Sequence, residues 1–287
     1  MEKKAPKASL IIAFYNNTQA LELIFRALEV QSETNFEVII ADDGSKKEAV
    51  EYILERRKTL PFSVNHIWHE DKGFRKNRIL NHAILASKSE YLIFIDGDCI
   101  PQRHFIEDHI CNAELGKSLS GRRAELADRF TEDVLHSVSP GTFFEDNKFK
   151  LLWHYLTTKG QVKEKGRHVE KGLRLSSSLL QALFRHKKAK AILGCNFSIH
   201  KQDILKVNGF DMRYEAPAVG EDSDLDYRLN LIGITNKSLN YLGCQIHMYH
   251  PWLTRPSINK MLFEQTIKEG KSWANLGISS LQKGGTE

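Results

Sequence analysis

The stretch YLIFIDGDCIP, Tyr91 to Pro101, ends an apolar run in two carboxylates, Asp96 and Asp98, with only Gly97 between them. Two like charges that close repel, and removing both from water is costly. One resolution is a simple turn, since Asp and Gly are favoured there and either Asp could cap a following helix. The other is a divalent cation, whose charge turns the repulsion into attraction and whose hardness suits carboxylate oxygens. A Mg²⁺ or Mn²⁺ held by one or two carboxylates takes its other ligands from water and substrate phosphates. On that reading the D-x-D is half of a site whose other half is a diphosphate.

Further residues fit such a ligand. Arg75, Lys76 and Arg78 cluster in GFRKNR at the start of a helical pattern, where phosphate is favoured, although the same cluster suits a solvated helix face. A second acidic cluster runs Gly220-Glu221-Asp222-Ser223-Asp224-Leu225-Asp226. First-turn acids complement the helix dipole, but four acids in six residues exceed what capping requires. A carboxylate beside other carboxylates has a raised pKa, which suits a general base. His247 and His250 close a strand-like run, where they point apart, so one at most is expected as a ligand. An imidazole joining the D-x-D shifts the preference from Mg²⁺ toward Mn²⁺.

The elements that position these groups alternate. Ser9 to Tyr15, Phe36 to Ala41, Ser63 to His69 and Tyr91 to Ile95 read as strands; Thr18 to Gln31, Lys47 to Lys58 and Gly73 to Ser87 read as helices. This order predicts an α/β fold with a mostly parallel central sheet flanked by helices. Ligands of such sheets bind beyond the carboxyl ends of the strands, where Asp42-Asp43 and Asp96-Asp98 both fall. Later, Ala191 to Ile199 and Asn240 to Met248 read as strands, and Lys201 to Val207 and Asp222 to Leu231 as helices.

The rhythm breaks between about 131 and 190. From 148 to 190 there are twelve Lys/Arg against Glu164 and Glu170, interleaved with Phe149, Leu151, Leu152, Trp153 and Tyr155. This basic helical insertion either packs its apolar face on the core or lies on an anionic membrane. The 287 residues are enough for one large α/β domain, here divided into a first half to about 116, the insertion at about 117–190 and a second half to 287. A net charge of +5 is too weak to indicate nucleic acid. Cys99, Cys111, Cys195 and Cys244 form no C-x-x-C pair, and no run reaches membrane-span length. The expected location is cytoplasmic, with peripheral attachment to the inner face of the membrane left open.

SLIIAFYNN, FEVIIADDGS, GFRKNRILNHAI, YLIFIDGDCIP, NGFDMRYEAPAVGEDSDLDYRL and HMYHP follow one another in that order. Together they resemble the family 2 glycosyltransferases of GT-A fold, over about Ser9 to Gly116 and Ala191 to Trp252. The resemblance implies metal-dependent, inverting transfer of a sugar from a UDP-sugar donor to a hydroxyl of a growing bacterial surface polysaccharide or lipid-linked glycan. It implies that Ala13, Phe14 and Tyr15 line the nucleotide pocket, that Asp43 pairs with uracil and that Asp96 reaches the ribose past Gly97. Asp98 and His247 then bind Mn²⁺ or Mg²⁺, Asp222 is the catalytic base and Glu221 grips the acceptor. Many family members have an arginine where this chain has Ile79-Leu80-Asn81, so Arg75 is expected to do its work beside Asn81. The first strand has Ala13 in place of a usual proline. Rival readings are a nucleotidyltransferase, which needs a Gly-rich loop that Ala13 to Asn17 lacks, and a non-catalytic nucleotide-sugar-binding module, which needs no intact G-E-D.

Overall fold

The computed structural model describes residues 5–177, 179–181, 191–217, 221–249 and 258–283. Its strands are β1 (Ala8–Phe14), β2 (Phe36–Asp42), β3 (Ser63–Trp68), β4 (Tyr91–Asp96), β5 (Cys99–Pro101), β6 (Lys117–Ser120), β7 (Arg123–Glu125), β8 (Asn196–His200), β9 (Thr235–Ser238) and β10 (Gln245–His247). Its helices of seven or more residues are α1 (Thr18–Leu28), α2 (Lys47–Arg56), α3 (Lys76–Ala86), α4 (Phe105–Cys111), α5 (Phe143–Thr157), α6 (Glu221–Leu231) and α7 (Ile258–Glu269).

The main sheet has seven strands in the order β3-β2-β1-β4-β8-β6-β9, and only β8 runs against the rest. Its central strands are covered on both faces, which is why they read as unbroken apolar runs rather than alternating ones. One face of β1, carrying Leu10 and Ile12, packs with Leu21, Ile24 and Phe25 of α1. The other, carrying Ile11, packs with Ile79, Leu80 and Ala83 of α3. The α/β fold and its mostly parallel sheet are those expected from the sequence.

Three segments differ from the sequence reading. Residues 191–195 are not strand, because side chains take their backbone groups. Ser120 Oγ accepts from Leu193 N–H, and Asp222 accepts from Gly194 N–H. Residues 240–244 turn instead of extending, with Tyr241 and Gly243 at positive φ of 61° and 53°. Helix α3 starts at Lys76 rather than Gly73, which has φ 84° and follows the Asp71 carboxylate that accepts its N–H at 3.0 Å. The stretch 117–125 holds β6 and β7, members of the two sheets, and α5 follows within the basic segment.

The second sheet, β5-β10-β7, has only short strands that carry no strong local signal. It matters because β10 runs antiparallel to β5 with His247 opposite Cys99, which brings the chain's late histidine to the residue after Asp98.

Candidate functional site

Sheet order changes direction at β1: β2 lies on one side of it and β4 on the other. Such a switch point leaves a crevice at the strands' carboxyl ends. Register sets its floor, with Ala13 opposite Asp96 and Phe14 opposite Asp42. A cleft of about 460 Å³ opens there, lined among others by Ala13, Phe14, Tyr15, Asp43, Gly97 and Asp98. A Cβ on Gly97 would stand 2.8 Å from the Ala13 carbonyl oxygen, so only glycine lets the turn lie this close to β1. A Cβ on Gly44, at φ 92°, would stand 2.6 Å from the Asp71 backbone. Glycine therefore also lets the D-D-G-S turn meet the loop that forms the far wall.

At that wall Asp43 is held from two sides. His69 Nε2 meets its Oδ1 at 2.7 Å, and the Arg75 backbone N–H donates to its Oδ2 at 2.9 Å. Each oxygen keeps a further lone pair for an N–H donor such as a nucleobase imide. Asp42, fully buried, is oriented by His66 Nε2 at 2.8 Å and accepts from Ser45 N–H at 2.8 Å. Asp71 also lines the cleft, and Tyr15 Oη donates to it at 2.9 Å. The Gly73 N–H and then the Tyr15 hydroxyl hold the Asp71 carboxyl below its ordinary value, so it is ionised near neutral pH.

At the other wall Lys76 Nζ meets Asp96 Oδ1 at 2.8 Å. His247 Nε2 lies 3.2 Å from Asp98 Oδ2. The ligand atoms of Asp98, His247 and Cys99 all fall within 4.8 Å of one another. Two donors each about 2.1 Å from one ion and at right angles to each other sit about 3 Å apart, so the Asp98–His247 separation fits a shared divalent cation. Burial, and then the neighbouring Cys195, push the Cys99 thiol well above its ordinary value. Of the three, the Asp98 carboxylate oxygen and the His247 imidazole nitrogen are the harder donors, a pair suited to Mn²⁺.

The structure separates the acids of the second cluster. Asp224 is fully buried and paired with the equally buried Arg228 at 2.7 Å, whose guanidinium also donates to the Val207 and Gly209 carbonyls. This is a structural ion pair. Asp226 accepts from Ile192 N–H at 3.3 Å, and burial, with Asp222 nearby, raises its pKa. Asp222 Oδ2 accepts from Gly194 N–H at 3.2 Å. Gly194 precedes Cys195, whose sulfur accepts from Arg123 at 3.3 Å and interacts with the Cys99 thiol. A short path of contacts thus joins Asp222 to the residue beside Asp98. The Glu221 side chain and His250 lie outside the described residues.

Two expectations are corrected. Arg75 caps α3 instead of opening it, and its guanidinium turns away to the Glu70 carbonyl; the cation that lines the cleft is Lys76. Asn81 is fully buried, and its amide donates to the Phe210 carbonyl and accepts from the Phe210 N–H, so it braces α3 against that loop. The sequence reading also passed over His69 and Asp71. The only local signal for them is polar residues just before a glycine and a helix start. A second cavity of about 490 Å³ lies against α4 and α5, where Arg174 pairs with Asp108; no sequence-predicted site residue lines it.

The Glycosyl transferase family 2 model matches residues 9–163. The chain is 26% identical to a chondroitin synthase of Pasteurella multocida over 237 residues, 77% of this chain and 22% of that protein. It is 27% identical to a chondroitin synthase of Escherichia coli over 103 residues, 36% of this chain and 15% of that protein. The chain thus spans less than a quarter of these relatives' length. The glycosyltransferase AglE of Haloferax volcanii is 26% identical over 145 residues, 46% of this chain and 47% of that protein. Among solved structures, a mannosyltransferase of Pyrobaculum calidifontis, determined in complex with GDP-Man and Mn²⁺, superposes with a TM-score of 0.54 at 15% identity. That match covers 85% of this chain and 57% of that one, and it supports the fold alone.

Proposed function

Since the chain belongs to glycosyl transferase family 2, we propose that it transfers a sugar from a UDP-sugar to a hydroxyl of a growing polysaccharide or lipid-linked glycan, with inversion and with the help of a divalent metal. The observation that carries this reading is the convergence of Asp43, Lys76, Asp96 and Asp98 on one cleft, with His247 at Asp98.

Asp43, fixed by His69 and the Arg75 N–H, accepts the imide N–H of uracil and so orients the base. Asp96 takes the ribose hydroxyls, and Gly97 keeps the turn low enough for the sugar to lie over β1. Lys76 exchanges its Asp96 contact for the diphosphate, a charge-assisted bond to a more highly charged partner. Asp98 and His247 would hold Mn²⁺ or Mg²⁺, and the ion would supply Lewis-acid neutralisation of the charge on the departing UDP. Asp222 accepts the proton of the acceptor hydroxyl as its oxygen attacks the anomeric carbon opposite the leaving group. One displacement of this kind inverts the configuration. Glu221, next in the chain, contacts the acceptor.

The test is a screen of UDP-sugars, with GDP-Man as the purine arm, for nucleoside diphosphate release with Mn²⁺ present. Release of UDP supports the reading, and release from GDP-Man alone refutes the choice of base. Titration calorimetry of UDP with and without Mn²⁺ tests the metal. Wild type gains affinity with the ion and Asp98→Ala does not, whereas equal affinity of wild type in both conditions removes the metal role.

A further inference from the structure

Helix α5 is apolar on two faces. Phe143, Phe144 and Leu151 are buried in the core. Phe149, Trp153 and Leu156 follow one another at spacings of four and three, so they share one face of the helix. They are 80%, 72% and 76% exposed. A single exposed aromatic needs no explanation, but three large apolar side chains in one stripe are costly to leave in water.

The surroundings of the stripe are basic. From 148 to 171 there are seven Lys/Arg against Glu164 and Glu170. Lys148 Nζ sits 5.7 Å from the centre of the Phe149 ring, and Lys165 Nζ sits 4.9 Å from that of Tyr155. Three of the lysines also meet acids from outside this stretch: Lys148 with Glu145, Lys150 with Asp133 and Lys163 with Asp128. Glu145 and Asp146 lie one turn before Phe149 on the same side of the helix, where Lys148 pairs with Glu145 and the Thr142 hydroxyl donates to Asp146. Aromatic and aliphatic anchors bordered by lysines are the chemistry of a helix that lies in the interface of an anionic bilayer.

We propose that the outer face of α5 is a membrane-docking surface, with Phe149, Trp153 and Leu156 entering the headgroup–acyl boundary and the neighbouring lysines meeting anionic lipid headgroups. Contact is peripheral, because no helix among the described residues is long and apolar enough to cross a membrane. A second copy of the chain fits the face less well. The stripe is three side chains over eight residues, about 10 Å of helix, whereas a stable interface draws about 20–30 residues from each partner. The inference is independent of the catalytic reading, since none of these residues lines the cleft.

The test is cosedimentation with vesicles of phosphatidylcholine alone or of an equal mixture with phosphatidylglycerol, at low and high salt. The protein pellets with the anionic vesicles at low salt, and high salt weakens the binding. Tryptophan emission shifts to the blue on binding, and Trp153→Phe removes the shift. The double variant Phe149→Ser/Leu156→Ser partitions about tenfold or more less well, at unchanged Tm, and Lys150→Gln/Lys159→Gln loses the preference for anionic lipid. Absence of pelleting at low salt, or pelleting untouched by the Phe149→Ser/Leu156→Ser change, overturns the proposal. So does a lipid-free dimer, seen by light scattering, that the same double variant dissolves.

Discussion

Replacing Gly97 with alanine probes the floor of the cleft with one methyl group. The new Cβ would lie 2.8 Å from the Ala13 carbonyl oxygen, where ordinary contact begins at 3.4 Å, a shortfall of about 0.6 Å. Ala13 cannot yield, because it is in register with Ala41 of β2 on one side and Asp96 of β4 on the other. The D-G-D turn must therefore rise, carrying Asp96 and Asp98 with it. Overpacking of this kind costs about 1–3 kcal/mol, a fall in Tm of about 2–10 °C for a chain of this size. A 1 Å displacement at a reacting centre can cost about 100-fold, so 0.6 Å lowers turnover about 10- to 100-fold. Nucleoside diphosphate release and thermal melts measure both quantities. Gly116→Ala is the control. Its φ of 74° makes alanine strained there, but nothing lies within 4 Å of the new Cβ, so Tm falls while turnover holds. Wild-type turnover and Tm in Gly97→Ala would refute the argument that this contact sets the floor.

Three further outcomes follow from the site and the core. Asp222→Asn lowers kcat about 10²- to 10⁴-fold with UDP affinity unchanged; full turnover in that variant removes Asp222 as the base. Lys76→Ala weakens UDP binding in titration calorimetry about tenfold or more, whereas Arg75→Ala changes it less; the reverse ranking restores the phosphate role to Arg75. His109 is fully buried between Ser198 and Asn196, and burial lowers its pKa from 6.5 to about 3. Below pH 6.5 the unfolded chain takes up a proton that the folded chain refuses until about pH 3. Stability is therefore complete above 6.5 and falls with pH, by about 2 kcal/mol at pH 5. Urea melts at pH 7 and pH 5 read the difference, and a smaller fall in His109→Gln assigns it.

The sequence by itself determined the features written in short runs of chain. Continuous apolar segments marked strands buried on both faces, and two of them, β2 and β4, ended at the acidic turns that the cleft uses. The D-G-D spacing showed two carboxylates and a residue without a side chain. The order of six motifs pointed to the family, which the match over residues 9–163 then showed. Boundaries moved by a few residues where side chains took over backbone hydrogen bonds, as Ser120 and Asp222 do at 193–194.

Only the tertiary structure decided which groups meet, because partners far apart in the chain leave no local signal. His247 and Asp98 come together through a three-residue strand too short to read from composition. Asp43 gains His69 because β2 and β3 are neighbours. The choice between Arg75 and Lys76 rests on one residue of helix phase, since the cap residue and the first helical residue point in different directions. The three aspartates after Glu221 are alike in sequence, and burial against Arg228 makes one of them structural. The exposed stripe on α5 is likewise invisible in composition, where Phe149 and Leu151 are equally apolar. The fold covers one and leaves the other in water.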